Sequence, residues 1–453
     1  MTRKSLLFII TILSAGLVAC GIDIPVAREE AEAPAEQPET VEEVVDETTE
    51  VDDYSALTYS ELEVLSYDGD PVAEYYLGQL YEYGTEDINQ DFSKAISWYT
   101  ESAAHDNADA TTALGYFYLT GTGVDQDLEQ AAAYFDQAIE FGDINAKVGL
   151  ARTRLAAIDD ELLQQYVDFR TGATEAEDAL DAEETDNTEN TEVTEDTEQE
   201  ADDTDDSSET ADTETTEDTS ETDYTELETQ LNGICTLIRA AYAAKDVDGI
   251  YYMGYLYDNG LGVAADAVKA TNCYEEAAEF TADSRPEQDT VNMACVAMGL
   301  RYMAGTGVAK DEARALEYFQ KASDNGDARA QYYMGQIYEN GLGVTADYEQ
   351  AMEYYRLSAE SDFAPALNQI GYLYYNGYGV DVDFSSAVYY QKLAALQGYA
   401  PAQVNLGFLY ENGYGVEADL SMALEYYELA AQEGYEGAQE AVIRVRAQLS
   451  EES

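Results

Sequence analysis

The chain has 453 residues and 45 % hydrophobic content, enough for a packed core, but 94 acidic against 21 basic residues give a formal charge of −73. Such a field excludes nucleic acid, whose affinity comes largely from Lys and Arg replacing counterions, and it repels an anionic lipid surface. A single histidine, His105, denies the chain an imidazole metal cage or proton relay, so no cofactor and no metal is expected.

The first element is a targeting segment. Thr2, Arg3 and Lys4 give a positive start, and Ser5 to Val18 form an uncharged apolar run. That run is too short for a permanent spanning helix and fits the hydrophobic region of a secretory signal. It ends in Leu17-Val18-Ala19-Cys20 followed by Gly21, which resembles the lipobox of bacterial lipoproteins. The resemblance implies that residues 1–19 are a signal peptide and that Cys20 is diacylated as the mature N-terminus. The expected location is therefore the bacterial cell envelope, extracytoplasmic, with membrane contact through the lipid alone. An ordinary cleaved secretory peptide with an incidental cysteine is the competing reading. Residues 20–53 are rich in Glu, Ala, Pro, Thr and Val. They carry too little apolar surface to offset ordering entropy, so a disordered acidic tether is expected, with a reach on the order of 30 Å.

The next stretch repeats itself. With Gly335 as anchor, Gly78, Gly115, Gly254, Gly299, Gly371 and Gly407 take the same place at a spacing near 36 residues, inside the range of helical solenoids. Three residues on, all seven copies have Tyr (Tyr81, Tyr118, Tyr257, Tyr302, Tyr338, Tyr374, Tyr410), and three further on all have Gly. A second Gly and a Val follow in every copy but the first, where Gly84-Thr85-Glu86 stands instead. Ala330, Met334 and Tyr338 make one stripe of a helix over about residues 328–340. Gly335 costs that helix about 1 kcal/mol against Ala, which makes sense if a neighbouring helix passes too close for a side chain. Gly341 fits a left-handed cap. Asp347 is placed to cap a second helix, with Gln350 completing a capping box, and Ala351, Tyr354 and Ala359 form that helix's stripe.

This pattern resembles the Sel-one-like repeat, a relative of the tetratricopeptide repeat, over residues 70–143 and 246–435. The resemblance implies an all-α fold, an α/α superhelical solenoid of about seven 36-residue helix-turn-helix repeats, and composition adds a disordered acidic insert that interrupts it. It also implies an adaptor that holds protein partners.

The insert, residues 171–223, is almost entirely Thr, Glu, Asp and Ser, and reads as a self-repelling disordered linker. Two readings of its flanks stand. The favoured one has an N-terminal array over 54–170, closed by capping helices, and a C-terminal array of five repeats over 224–450. In the other, residues 226–245 supply the second helix to a first helix at 144–155, and the solenoid is continuous. Residues 436–449, with Ala438, Val442, Val445 and Leu449, form a final cap.

Carboxylates are so numerous that no unique acid–base pair stands out, and no metal-ligand spacing is present. Cys235, Cys273 and Cys295 are an odd set for an exported protein. Cys273 stands where other copies have Tyr318 and Tyr354, which favours packing; a Cys273–Cys295 or Cys235–Cys273 bridge stays open. First helices line the concave side in related solenoids, and the variable positions around the anchor Gly place Tyr251, Tyr255, Tyr332, Tyr372 and Phe408 there as a partner-binding groove. The function expected is an extracytoplasmic, membrane-anchored, non-enzymatic scaffold for an unidentified protein partner. The alternative is a cell-wall-associated enzyme or glycan/peptidoglycan-binding module, since the family resemblance also extends to proteins linked with penicillin binding or hydrolysis. An enzyme of that kind needs an activated nucleophile, and no Ser-x-x-Lys stands near a supporting base.

Overall fold

The computed structural model describes residues 54–85, 87–170 and 224–452. The signal segment, Cys20, the tether and the 171–223 insert lie outside the described residues. Among those described, all regular structure is helical. A 3-10 turn at Tyr54–Ala56 leads into α1 (Tyr59–Tyr67), α2 (Pro71–Tyr83), α3 (Phe92–Ala104), α4 (Ala108–Thr120), α5 (Leu128–Phe141) and α6 (Ala146–Ala156). Residues 160–170 form α7. Then come α8 (Thr225–Ala243), α9 (Val247–Asn259), α10 (Ala267–Ala278), α11 (Arg285–Ala304) and α12 (Glu312–Asp324). The last helices are α13 (Ala328–Asn340), α14 (Tyr348–Ala359), α15 (Ala364–Asn376), α16 (Phe384–Leu396), α17 (Ala400–Asn412), α18 (Leu420–Gln432) and α19 (Ala438–Glu452).

All but one of the units close through a glycine-against-ring contact; at Gly371 the Gln391 side chain takes the place of the ring. Gly335 of α13 faces the ring of Tyr355 on α14, and a Cβ at Gly335 would come within 2.5 Å of that ring. The same contact joins Gly78 to Tyr99, Gly115 to Phe135, Gly299 to Phe319 and Gly407 to Tyr427. Tyr355 is fully buried beside Ala351 and Ala366, and burying a side chain of that size contributes about 2–3 kcal/mol. The expected stripe of the second helix therefore shifts by one residue: Tyr355, four positions after Ala351, enters the core. Tyr354 sits at its margin, stacked on Tyr338 at 5.5 Å. That marginal stack recurs in Tyr118–Tyr134, Tyr302–Tyr318, Tyr374–Tyr390 and Tyr410–Tyr426, which gives five of the seven constant first-helix tyrosines the same partner.

The loops follow from the same logic. Gly341 ends α13 in the left-handed region at φ +66°, where a side chain is strained. The second glycine of the next copy, Gly379, lies on the first turn of α14; a Cβ there would meet the Tyr348 backbone at 2.6 Å. Asp347 caps α14, its carboxylate accepting from the backbone N–H groups of Glu349 and Gln350. The capping box is not completed. The Asp347 N–H already donates to the Tyr338 carbonyl, and the Gln350 amide turns to Glu353. In the first copy Thr85 N–H donates to the Ile88 carbonyl instead, a different loop.

The favoured division into two arrays gives way to the continuous reading. Val148 and Ala151 of α6 share one buried cluster with Tyr166 and Val167 of α7 and with Leu231, Ile234 and Ile238 of α8. Apolar matching across positions 171–223 thus makes α6 and α8 the two helices of one unit, and α8 packs on to α9. At the other end Ala438, Val442 and Val445 of α19 are buried against α18, as a cap requires. Cys235, Cys273 and Cys295 are buried free thiols, and burial pushes Cys273 and Cys295 up to about 11. Neither open bridge is formed.

Candidate protein-interaction surface

First helices touch across the stack (α4 with α6, α6 with α9, α9 with α11, α11 with α13), so they take the inner side of its curve. The curvature brings Arg285 of α11 over the Tyr83 ring of α2, 4.3 Å from its centroid. The guanidinium of Arg152 lies between the Tyr116 and Tyr252 rings at 5.1 and 5.3 Å. Nearby, Asp248 accepts from the Thr290 hydroxyl, and burial raises its carboxyl above the ordinary carboxylate value.

The five residues expected to floor a groove differ in their exposure. Tyr251 is only 3 % exposed; its ring packs at 5.2 Å against both Tyr252 and Tyr274, so it belongs to the core and leaves the set. Tyr255 is half-buried beside Tyr252, and burial pushes its phenol up to about 12. Tyr332 is half-buried among Tyr333, Tyr355 and Phe363, its hydroxyl accepting from the Gln336 amide at 2.8 Å. Only Tyr372, 41 % exposed, and Phe408, 39 % exposed, face solvent.

Those two join an aromatic edge that the repeat pattern did not single out. Tyr378, in the loop after α15, stacks on Tyr348 at the start of α14 with centroids 4.9 Å apart, and Tyr372 meets Tyr378 at 6.1 Å. Tyr348 and Tyr378 are each 38 % exposed. One helical turn beyond Tyr372, Tyr375 touches Phe384, Phe408 and Tyr414. Phe384 and Tyr414 in turn face each other at 5.0 Å. Burial first, then Tyr378, Glu339 and Tyr348, raise the Tyr372 phenol. The edge arises because the loop residue after the capping glycine crosses the first turn of the preceding second helix. In the copy before, the corresponding positions hold Leu342 and Glu312, with no ring at either. A signal was present in the sequence: it required reading the loop position, the first residue of the second helix and the first-helix face together.

A family model described as Sel1 repeat matches residues 71–107, 108–143, 247–279, 292–327, 328–363, 364–399 and 400–435, more than half of the chain. Among solved structures, a Sel1 repeat protein from Oxalobacter formigenes is 30 % identical over 48 % of this chain and 83 % of its own, with a TM-score of 0.43. A protective antigen of uropathogenic Escherichia coli strains, described as displaying an SLR fold, is 22 % identical over 87 % of this chain and 68 % of its own, with a TM-score of 0.44. No curated protein matches this chain.

Proposed function

Because this chain belongs to the Sel1 repeat family, whose members are generally non-catalytic protein-interaction scaffolds, we propose that it is a lipid-anchored scaffold of the bacterial envelope that holds a protein partner outside the cytoplasm. The observation that carries the binding part is the aromatic edge around Tyr348, Tyr372, Tyr378 and Phe408. Clustered exposed aromatics on a rigid helical frame are the residue type that dominates interface energetics, and rings with two side-chain torsions lose little entropy on contact. The anchoring part rests on Arg3-Lys4, the apolar run and Leu17-Val18-Ala19-Cys20.

Two measurements test the two parts. Cys20→Ser should release the protein from the membrane fraction and abolish metabolic labelling with a radiolabelled fatty acid; unchanged fractionation would remove the anchor. A crosslinked pull-down from envelope extract should yield a partner that Tyr372→Ala with Phe408→Ala loses while the helical spectrum is retained. A partner captured equally by both forms would move the binding site elsewhere.

A further inference from the structure

We propose that the aromatic edge of α14–α17 takes an extended Lys- or Arg-bearing segment of the partner, with its cations seated on Tyr348, Tyr372 and Tyr378. The inference deepens the scaffold reading and rests on that edge being the partner site.

Three observations fix the chemistry of the occupant. The first is charge. Residues 328–435 contain 14 Asp and Glu against three Lys and Arg, so an acidic segment is repelled and a basic one is drawn in. Glu339 stands close enough to bear on the Tyr372 phenol, and Asp381, three residues beyond Tyr378, is exposed.

The second is how this chain treats its own cations. Lys94 sits over Tyr81 at 4.8 Å, Lys269 over Tyr257 at 5.4 Å, Arg285 over Tyr83 at 4.3 Å and Arg314 over Tyr302 at 5.4 Å. In this acidic frame a tyrosine face is where basic side chains settle, as the ring quadrupole favours. Among the described residues no Lys or Arg is seated on Tyr348, Tyr372 or Tyr378, and all three keep part of their surface in water.

The third is geometry. Tyr348 and Tyr378 stack nearly parallel, 23° apart, while Tyr372 turns 62° from Tyr378. The cluster therefore offers ring faces in more than one direction, which suits several side chains of an extended strand better than one flat ligand.

The test uses the intact chain and a fluorescent octaarginine peptide at physiological salt, with octaglutamine and a soluble peptidoglycan fragment as comparisons. Octaarginine should bind and octaglutamine should not. Replacing the three tyrosines together (Tyr348→Leu, Tyr372→Leu, Tyr378→Leu) leaves the charge untouched and should weaken octaarginine about tenfold or more. The three Tyr→Phe changes, which keep the ring faces, should hold affinity within about twofold. If the Leu triple variant loses helicity, Tyr378→Ser in the loop is the substitute; it also leaves the charge untouched and should weaken octaarginine severalfold. Equal binding by the Leu and parent forms would show that scattered carboxylates hold the peptide and would overturn the proposal. So would edge-dependent binding of the peptidoglycan fragment without binding of octaarginine. An edge-dependent protein partner that lacks a basic segment would overturn the inference while leaving the scaffold reading intact.

Discussion

The Tyr355 hydroxyl donates to the Glu339 carboxylate at 2.5 Å, and the pair is a unit of the repeat: Tyr99 does the same to Glu82 and Tyr427 to Glu411. Where the ring is Phe135 or Phe319, the carboxylate's place is taken by Leu119 or Met303. Hydroxyl and carboxylate come and go together because either alone leaves a partly buried polar group short of a partner. Tyr355→Phe leaves Glu339 only the Gln369 amide at 3.2 Å and should cost about 1–2 kcal/mol in urea unfolding. Adding Glu339→Met should restore most of it. A double variant no more stable than the single one would break the pairing rule.

Two helical glycines should respond in opposite directions. At Gly335 an added methyl meets the Tyr355 ring at 2.5 Å. The overpacking cost of about 1–3 kcal/mol then exceeds the helix-propensity gain of at most about 1 kcal/mol. At Gly233 in α8 a Cβ meets nothing within 4 Å, so Gly233→Ala should stabilise by up to about 1 kcal/mol. Thermal unfolding of the two alanine variants decides it; the same sign for both would count against close packing at Gly335.

Arg301 occupies a buried position on α11 and ties two repeats together. Its guanidinium reaches both Asp258 carboxylate oxygens at 2.8 and 2.6 Å, the Thr271 hydroxyl at 2.6 Å and the Ala267 carbonyl at 2.6 Å. Arg301→Met removes the charge and leaves Asp258, which is partly open to water, with the Tyr274 hydroxyl as its remaining side-chain partner; losing charge-assisted hydrogen bonds of this kind should cost about 1–3 kcal/mol. Calorimetric melting of Arg301→Met beside Arg301→Met with Asp258→Asn should show the double variant as the milder lesion. Equal melting temperatures for the parent and Arg301→Met would place the junction's stability in its apolar contacts.

The single histidine reports on the first repeat. His105 Nδ1 lies 2.9 Å from the buried Glu74 carboxylate. That hydrogen bond and its charge hold the imidazole above its ordinary value of about 6.5. The group binds its proton more tightly when folded, so its stabilising effect is complete below the unfolded value and fades as pH rises through the raised one. Proton NMR should follow one titrating imidazole with a midpoint above that of a model histidine. Glu74→Gln should bring the midpoint down, and an unmoved midpoint would dissociate the shift from Glu74.

The repeat and its phase were legible because Gly335 and Tyr338 recur in every copy and each has a steric or stacking reason to be constant. The adjacent pair Tyr354-Tyr355 was not resolvable by period, since both residues lie within one turn of the Ala351 face; only the gap at Gly335 selects Tyr355. The join of α6 to α8 was obscured because its two halves are separated by an acidic stretch that carries no periodicity. The proposed partner surface was half visible. Tyr372 and Phe408 emerged from variation along the first helices, whereas Tyr348 and Tyr378 belong to a cap-proximal turn and a loop. Reading one helix face at a time therefore missed them, and it wrongly admitted Tyr251, which varies among copies but is covered by Tyr274.

The junction at Val148, Ala151 and Leu231 has a practical meaning. The peptide bonds of residues 171–223 link two bodies that already share a buried seam of Tyr166, Val167, Leu227 and Ile234. A single proteolytic nick there would sever the covalent chain without unzipping that seam. Two separately expressed pieces, split between α7 and α8, would accordingly reassemble on mixing into one solenoid, a property of the kind exploited in split reporters.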